Sequence, residues 1–180
     1  MSHNIFSANA KSTGSACFVS FQSKEQCVFF RLLKQVSWDA KARTGSFKDG
    51  ATINVKFSPD EVGDMILALR VAGESRFYHS FNQNVTSGSL GYYEVGTGEQ
   101  TKRGFGLTVK NGDLVFKVGL SLGSGERLME YLKFALQRMN EADYAADKKM
   151  FEERQVAKKT EGKSVAHVPT VVPKTAEEPV

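Results

Sequence analysis

The chain has 180 residues, of which 41% are hydrophobic and 24% charged, and its formal net charge is +4. This composition is typical of a folded protein with one substantial core or two small repeats that share one. The two cysteines, Cys17 and Cys27, are too few for a disulfide framework or a metal site, and no run approaches the roughly eighteen apolar residues of a membrane span. The N-terminal stretch resembles neither a signal peptide nor a transit peptide, so we expect a cytoplasmic protein, bacterial or from a virus-infected cell.

Three stretches in the first third of the chain have the pattern of β-strands. Residues 16–22 alternate, which places Phe18 on the face opposite its apolar neighbours. Residues 28–38 are apolar on both faces, and their β-branched and aromatic content favours a strand. Residues 51–57 alternate cleanly between apolar and polar side chains. Residues 1–13, before the first of these strands, are predicted to be flexible.

The period then changes to that of a helix. Ser58 is followed by Pro59 at the first helical position and by Glu61 three residues after the cap, which is the signature of a capping box. Gly73 suits the position just after the helix. The apolar residues at helical spacing are Val62, Met65, Ile66 and Leu69.

Strand patterns resume after this helix. The predicted strands are residues 76–81, 89–95, 104–110 and 114–122. Asn111 and Gly112, between the last two, form a two-residue hairpin signal.

A second helix is predicted after Ser124, to about Tyr144. One stripe of this helix holds Leu128, Leu132, Ala135 and Met139. Tyr131, Phe134 and Leu136 lie outside the stripe, which indicates either a subunit interface or packing on two sides within one chain.

The end of the chain has a different composition. Residues 145–180 mix charged side chains with three of the four prolines and show no periodicity, so we expect a largely disordered tail. Glu177 and Glu178 lie beside its short apolar terminus, a pattern that can recruit partner proteins of replication or repair.

Residues 14–144 are predicted to form one α+β domain, with two antiparallel β-sheets each followed by a helix.

Basic and aromatic side chains occur together in two segments. Residues 31–56 hold six basic and two acidic side chains, and residues 102–117 hold four basic and one acidic. Lys and Arg neutralise phosphates, and aromatic rings stack on unpaired bases, which contributes roughly 1–3 kcal/mol per base. The candidate nucleic-acid-binding residues are Arg31, Lys34, Trp38, Lys41, Arg43, Phe47, Lys48, Lys56, Arg76, Tyr78, Tyr92, Lys102, Arg103, Phe105 and Lys110. Alternatively, the Phe residues form the core and the charged residues a solvated face.

Three further stretches follow the order of motifs in a known family. They are FSPDEVGDMILAL, RFYHSF and GFGLTVKNGDLVFKVGLSLGSGERLMEYL. Together they resemble the Whirly family of single-stranded nucleic-acid-binding proteins, which includes relatives that bind guide RNA in kinetoplastid mitochondria. The resemblance covers roughly residues 14–142, with Ser15 where the family's first strand has a lysine. It implies two four-stranded antiparallel sheets with a helix pair, assembled as a tetramer that binds single strands across the sheets.

These patterns predict a protein that binds single-stranded DNA or RNA with little sequence preference and protects or presents single strands in replication, recombination or repair. One alternative is a protein-interaction or structural oligomer without nucleic-acid binding. We expect no enzyme and no cofactor, because His79 has no acid or Cys near it at catalytic or ligand spacing.

Overall fold

The computed structural model describes residues 2–82, 84–97 and 100–164, with side chains described as far as Arg154. Its first half contains six strands: β1 (Ser2–Ser7), β2 (Ser15–Gln22), β3 (Cys27–Lys34), β4 (Ser37–Asp39), β5 (Thr44–Ser46) and β6 (Thr52–Phe57). Four of them form an antiparallel sheet in the order β1-β2-β3-β6, while β4 and β5 pair with each other as a separate hairpin between β3 and β6. Helix α1 (Pro59–Arg70) follows.

The second half repeats this plan. Its strands are β7 (Glu74–Phe81), β8 (Asn84–Val95), β9 (Lys102–Asn111) and β10 (Leu114–Leu120), which form an antiparallel sheet in the order β10-β9-β8-β7. Helix α2 (Leu122–Ser164) follows. The predicted α+β class, with two antiparallel sheets each followed by a helix, is confirmed.

Helix α1 begins as its sequence predicts. The Ser58 hydroxyl accepts a hydrogen bond from the Glu61 N–H, and the Glu61 carboxylate accepts one from the Ser58 N–H at 2.9 Å. The end of the helix differs from the prediction. Ala72, rather than Gly73, has the left-handed backbone, with φ +52°, and the Gly73 N–H donates to the Ala68 carbonyl at 2.9 Å. Gly73 is therefore one position further along the C-terminal cap than expected.

The core lies between the inward faces of the two sheets and the two helices. The largest side chains that are fully buried come from every one of these layers, among them Phe30, Leu32, Phe57, Met65, Leu90, Leu107, Phe116, Leu128, Leu132 and Met139. The compact unit that holds this core ends at Ala142, and the part of α2 from Asp143 onward belongs to a second unit.

Helix α2 packs more than one stripe within the chain. Tyr131 is buried and its hydroxyl accepts a hydrogen bond from the Phe21 N–H at 2.9 Å, and Leu136 packs against the core. Phe134 remains exposed. Two of the three side chains outside the predicted stripe are thus explained by packing within one chain.

Two predictions about the termini are wrong where the structure describes them. Ser2–Ser7, expected to be flexible, forms strand β1 because Ile5 enters the core opposite Cys17. Helix α2 continues to Ser164, so residues 145–164 are helical. Residues 165–180 lie outside the described part of the chain, and with them the predicted disordered tail and its acidic tip, Glu177 and Glu178.

The hairpin between β9 and β10 turns one residue later than predicted. Asn111 still pairs with Leu114, and its side-chain amide donates to the Thr86 hydroxyl at 2.8 Å. The turn residues are Gly112, with φ +55°, and Asp113.

In the described ranges, no helix combines the length and apolar character needed to cross a bilayer.

Strand β10 joins the two halves. Its outer edge faces the start of the first sheet, where the Lys117 N–H donates to the Ser15 hydroxyl at 3.3 Å and the Gly119 N–H to the Ser7 hydroxyl at 3.2 Å. These bonds bring the turn between β1 and β2 beside the outward face of the second sheet.

Candidate nucleic-acid interface

Each sheet has an outward face, formed by the side chains that alternate with the core residues. On the first sheet, the strand registers align Asn4, Phe18, Arg31 and Asn54 in one row and Ser20, Phe29 and Lys56 in the next. We call this surface the first outer face, and its aromatic and basic side chains are Phe6, Phe18, Phe29, Arg31 and Lys56.

Aromatic rings cluster on the first outer face. Phe6 is 58% exposed, and its ring centroid lies 5.5 Å from that of Phe18 and 6.0 Å from that of Phe47. Arg31 pairs with Phe18 across the strands and has no ion-pair partner among the described residues. An exposed cation and a half-buried ring therefore occupy neighbouring positions on this face.

Lys56 on the same face is partly neutralised. Its ammonium lies 3.0 Å from the Glu25 carboxylate, and this hydrogen bond raises the pKa of Lys56 above its ordinary value. The pair is exposed, so it contributes little to stability. A phosphate near Lys56 would have to compete with Glu25.

The β4–β5 hairpin extends the basic surface beyond the first sheet. It carries Trp38, which is half-buried, and the exposed Lys41 and Arg43; Lys48 follows in the turn after β5. The Asp39 carboxylate accepts hydrogen bonds from the Lys41 and Ala42 N–H groups at 2.8 and 2.9 Å and thereby fixes the tip.

Gln35 ties this hairpin to the turn between β1 and β2. Its buried amide accepts from the Asn9 N–H at 2.9 Å and donates to the carbonyls of Asn9 and Ser37 at 2.9 and 3.0 Å. A buried polar side chain with its donors and acceptors satisfied holds its neighbours in one arrangement. The two loops are therefore fixed relative to the first sheet.

The second sheet has an outward face of different character, which we call the second outer face. Its side chains are mostly small, hydroxyl-bearing or basic, with two tyrosines, three valines and one carboxylate. They are Glu74, Arg76, Tyr78, Ser80, Val85, Ser87, Ser89, Tyr93, Val95, Lys102, Thr108, Lys110, Val115 and Lys117, together with Gly91, Gly104, Gly106 and Gly119. Tyr78 is 66% exposed. Arg76 is paired with Glu74 at 2.8 Å, whereas Lys110 and Lys117 have no ion-pair partner within the described residues.

Four predicted site residues lie away from both outer faces. Phe105 is buried in the core, and Tyr92 packs against it with ring centroids 5.7 Å apart, because both alternate inward in their strands. Arg103 also lies on this inward side, where its guanidinium pairs with Glu94 at 3.0 Å. The ammonium of Lys34, opposite in direction to Arg31, lies 5.8 Å from the centre of the Phe116 ring.

The remaining predicted residues are placed together in three groups. Arg31 and Lys56 are on the first outer face, with Phe47 packed against its Phe6. Trp38, Lys41, Arg43 and Lys48 are on or beside the hairpin. The second outer face holds Arg76, Tyr78, Lys102 and Lys110.

Five aromatic or basic side chains of the outer faces are absent from the list of candidate residues, although the sequence left Tyr92 and Tyr93 as alternatives and Lys117 belongs to the basic segment 102–117. Phe6 lies in the segment predicted to be flexible, and Phe18 and Phe29 were treated as core candidates. The alternation in residues 16–22 already placed Phe18 opposite the apolar face, which was the available signal. Tyr93, rather than Tyr92, is the tyrosine of this pair on the outer face, and Lys117 lies beside it there.

The arrangement offers ring faces and cations but no cluster for metal chemistry. No group of three or more His, Cys, Asp or Glu side chains that would hold a metal ion occurs in the described ranges. His79, which has no acid near it at catalytic spacing in the sequence, does have one in the fold: it lies 2.6 Å from Glu61 at the start of α1 and packs against Phe57 and Phe77. Its contacts are those of a side chain that fixes the helix to β7.

Comparison with known proteins identifies the fold. No protein-family model and no curated protein matches the chain. The structure is similar to that of WHY1 from Arabidopsis thaliana, with a TM-score of 0.54 and 12% identity over 96% of this chain and 97% of that one. The plant transcriptional regulator PBF-2 gives a TM-score of 0.54 and 13% identity over 82% and 86%. MRP1/MRP2 of Trypanosoma give 0.52 and 13% over 75% and 83%. The chain therefore has the Whirly fold that the sequence resemblance implied.

Proposed function

We propose that the chain binds single-stranded nucleic acid, with single-stranded DNA favoured over RNA, across the two outer faces. The observation that carries this proposal is the side-by-side placement of Phe6, Phe18 and Arg31 on the first outer face. Phe6 packs against Phe18 and Phe47 yet stays 58% exposed, so part of its surface remains open to a further contact. Stacking on an unpaired base would supply that contact.

The chemistry favours single strands over duplexes. In a duplex the faces of the bases are covered by stacking, so exposed rings gain nothing from them. An unpaired base offers a face to an aromatic ring whatever its identity, which gives little sequence preference. Arg31, Lys110 and Lys117 add phosphate contacts that depend on salt.

The biological role proposed here is non-enzymatic. A surface of rings and cations can protect a single strand, or present it, during replication, recombination or repair. From the Whirly resemblance we further propose that the chain assembles as a tetramer. A cytoplasmic location stays a prediction.

Fluorescence-anisotropy titration tests the proposal, with labelled single-stranded and duplex oligonucleotides, as DNA and as RNA, at several salt concentrations. Phe18→Leu removes a ring and keeps an apolar side chain, and we expect it to weaken binding about tenfold at every salt concentration. Arg31→Gln removes one cation, and we expect the slope of log affinity against log salt to fall by about 0.7. A melting curve for each variant checks its fold.

Two matched variants serve as controls. Phe134→Leu removes an exposed ring on α2, and Arg70→Gln removes an exposed cation at the end of α1. Both should bind as the wild type does. Absence of binding to any single strand at low salt would overturn the proposal and favour a surface for protein partners.

A further inference from the structure

Three glycines stand opposite one another on the second outer face. Gly91 pairs with Gly106, and Gly106 pairs with Gly119, across β8, β9 and β10. The row begins at Glu74 on β7, whose side chain lies over Gly91, 3.2 Å from the position a Cβ there would take, so the bare backbone of this row is that of Gly106 and Gly119. Glycine in the interior of a strand weakens it and often marks a close approach of another molecule.

A groove of about 400 Å³ lies over part of this row, and we call it the glycine groove. Gly106 and Gly119 form its floor. Tyr93 lies along one side, with its ring 3.8 Å from the position a Cβ on Gly106 would take, and the tyrosine is 38% exposed. The turn between β1 and β2, with Asn9 and Thr13, forms the other side, and Lys117 stands within the lining.

The side of the groove formed by the turn between β1 and β2 is fixed before any ligand arrives. The Asn9 carboxamide oxygen accepts hydrogen bonds from the N–H groups of Lys11 and Thr13, and the Gln35 side chain bonds to the Asn9 N–H and carbonyl. The Gly119 N–H donates to Ser7 at the base of the same turn. A preformed groove loses little entropy on binding.

We propose that the glycine groove holds one unstacked base of the bound strand, with the adjoining phosphate at Lys117. A flat ring can lie against bare peptide groups, where any Cβ substituent would hold it away. The side chains of Asn9 and Thr13 line the groove and bond to each other at 3.2 Å, which leaves the second amide hydrogen of Asn9 and the hydroxyl of Thr108 to bond the edge of a base. Its volume lies near the lower end of the range of roughly 300–1,000 Å³ found for small-molecule sites. This inference rests on the proposed function and assigns one subsite within it.

The glycines allow a direct test, because the floor has room for a Cβ. An added Cβ would have its nearest neighbour at 3.8 Å for Gly106 and at 3.7 Å for Gly119. Gly106→Val and Gly119→Val therefore add a Cβ without a clash and suit a β-strand, and we expect their methyl groups to occupy the groove, with a melting curve for each variant to check its fold. Gly63→Ala on α1, where nothing lies within 4 Å of the added Cβ, is the control.

The readout is affinity for a short single-stranded DNA of minimal length, by fluorescence anisotropy, together with a scan in which each base in turn is replaced by an abasic site. We expect the wild type to lose about tenfold in affinity at one abasic position. Gly106→Val should lose a similar amount with the intact strand and become insensitive to that abasic position. Its salt slope should be unchanged, whereas Lys117→Gln should lower the slope by about 0.7.

The outcomes separate this inference from the function on which it rests. If both valine variants fold and bind with wild-type affinity, the groove holds no base, and binding across the outer faces stands. If the wild type binds no single strand at all, the proposed function fails and the subsite with it. A variant that melts far below the wild type is replaced by the other valine variant, since the two substitutions lie on different strands.

Discussion

Arg43, at the tip of the β4–β5 hairpin, has a φ of +53°, in the left-handed region. We predict that Arg43→Gly makes the protein more stable and weakens its binding to single strands. The left-handed region costs a residue with a Cβ roughly 1–2 kcal/mol, and the extra freedom of glycine in the unfolded chain offsets roughly 0.4–1 kcal/mol. The net gain is about 0.5–1 kcal/mol, or about 1–4 °C in Tm for a chain of this length.

The effect on binding has a different origin, because it comes from the lost charge. One phosphate contact contributes about 0.7 to the salt slope for a single strand. Between about 1 M and 0.1 M salt, one contact therefore changes affinity by ten to the power 0.7, about fivefold. Arg43→Gly should bind about fivefold more weakly than the wild type at the lower salt and equally at the higher.

Two companion variants separate backbone from charge. Asp49, in the turn before β6, has a φ of +63° and is exposed, so Asp49→Gly relieves the same strain and removes a negative charge. It should raise Tm without weakening binding. Arg43→Gln keeps the strained backbone and should weaken binding with Tm unchanged. Thermal melts measure the effect of the backbone, and anisotropy titrations at two salt concentrations measure the effect of the charge. An unchanged salt slope in both Arg43 variants would show that Arg43 contacts no phosphate.

Three further predictions concern stability. Ala72→Gly should raise Tm, because Ala72 has φ +52° in the cap of α1, and an unchanged or lower Tm in a thermal melt would contradict this. Gln35→Leu should lower the free energy of unfolding in urea by about 2–3 kcal/mol, because it leaves the Asn9 N–H and the Ser37 carbonyl without a partner and removes one of the two hydrogen bonds to the Asn9 carbonyl. Gln22→Leu, at an exposed position, is the control. Burial alone would raise the pKa of Glu61, but its hydrogen bonds with Ser58 and His79 lower it below its ordinary value. A depressed carboxyl pKa contributes stability above the unfolded pKa that is lost as pH falls through the folded one. Glu61→Gln should therefore destabilise the protein near pH 7 and much less below about pH 4, as urea titrations at the two pH values would measure.

Sequence patterns predict the secondary structure well where a local signal is strong. The capping box at Ser58 and Glu61 depends on atoms three residues apart, so the start of α1 can be read from a few letters. The end of the same helix is less certain because Ala72 occupies a position that favours glycine. Strand β1 has only Ile5 as a buried apolar residue, and its pairing with β2 is a tertiary contact that no local pattern contains.

The candidate site was predicted less well, since it depends on which face of a sheet each side chain occupies. Tyr92 and Tyr93 are adjacent and chemically identical, yet one packs against Phe105 and the other lies on the second outer face. A shift of one residue in a strand exchanges the two faces. Only the register of β8 against β9 decides between them. The basic segments, by contrast, are visible from composition alone, because most of their charges must stay exposed wherever they lie.

The two outer faces differ in a way that binding to a single strand would explain. The first provides rings, with Phe6, Phe18 and Phe29 next to cations, and the second provides bare backbone and hydroxyls between Arg76 and Lys117. A surface for a protein partner would also use exposed rings, but the glycine row would add little to it, because such interfaces depend on side chains that fill pockets. Bare backbone is useful to a ligand that is itself flat. The two explanations predict different salt dependence. If removal of Arg31, Lys110 or Lys117 each lowers the slope of log affinity against log salt by the amount expected for one phosphate contact, the ligand carries phosphates.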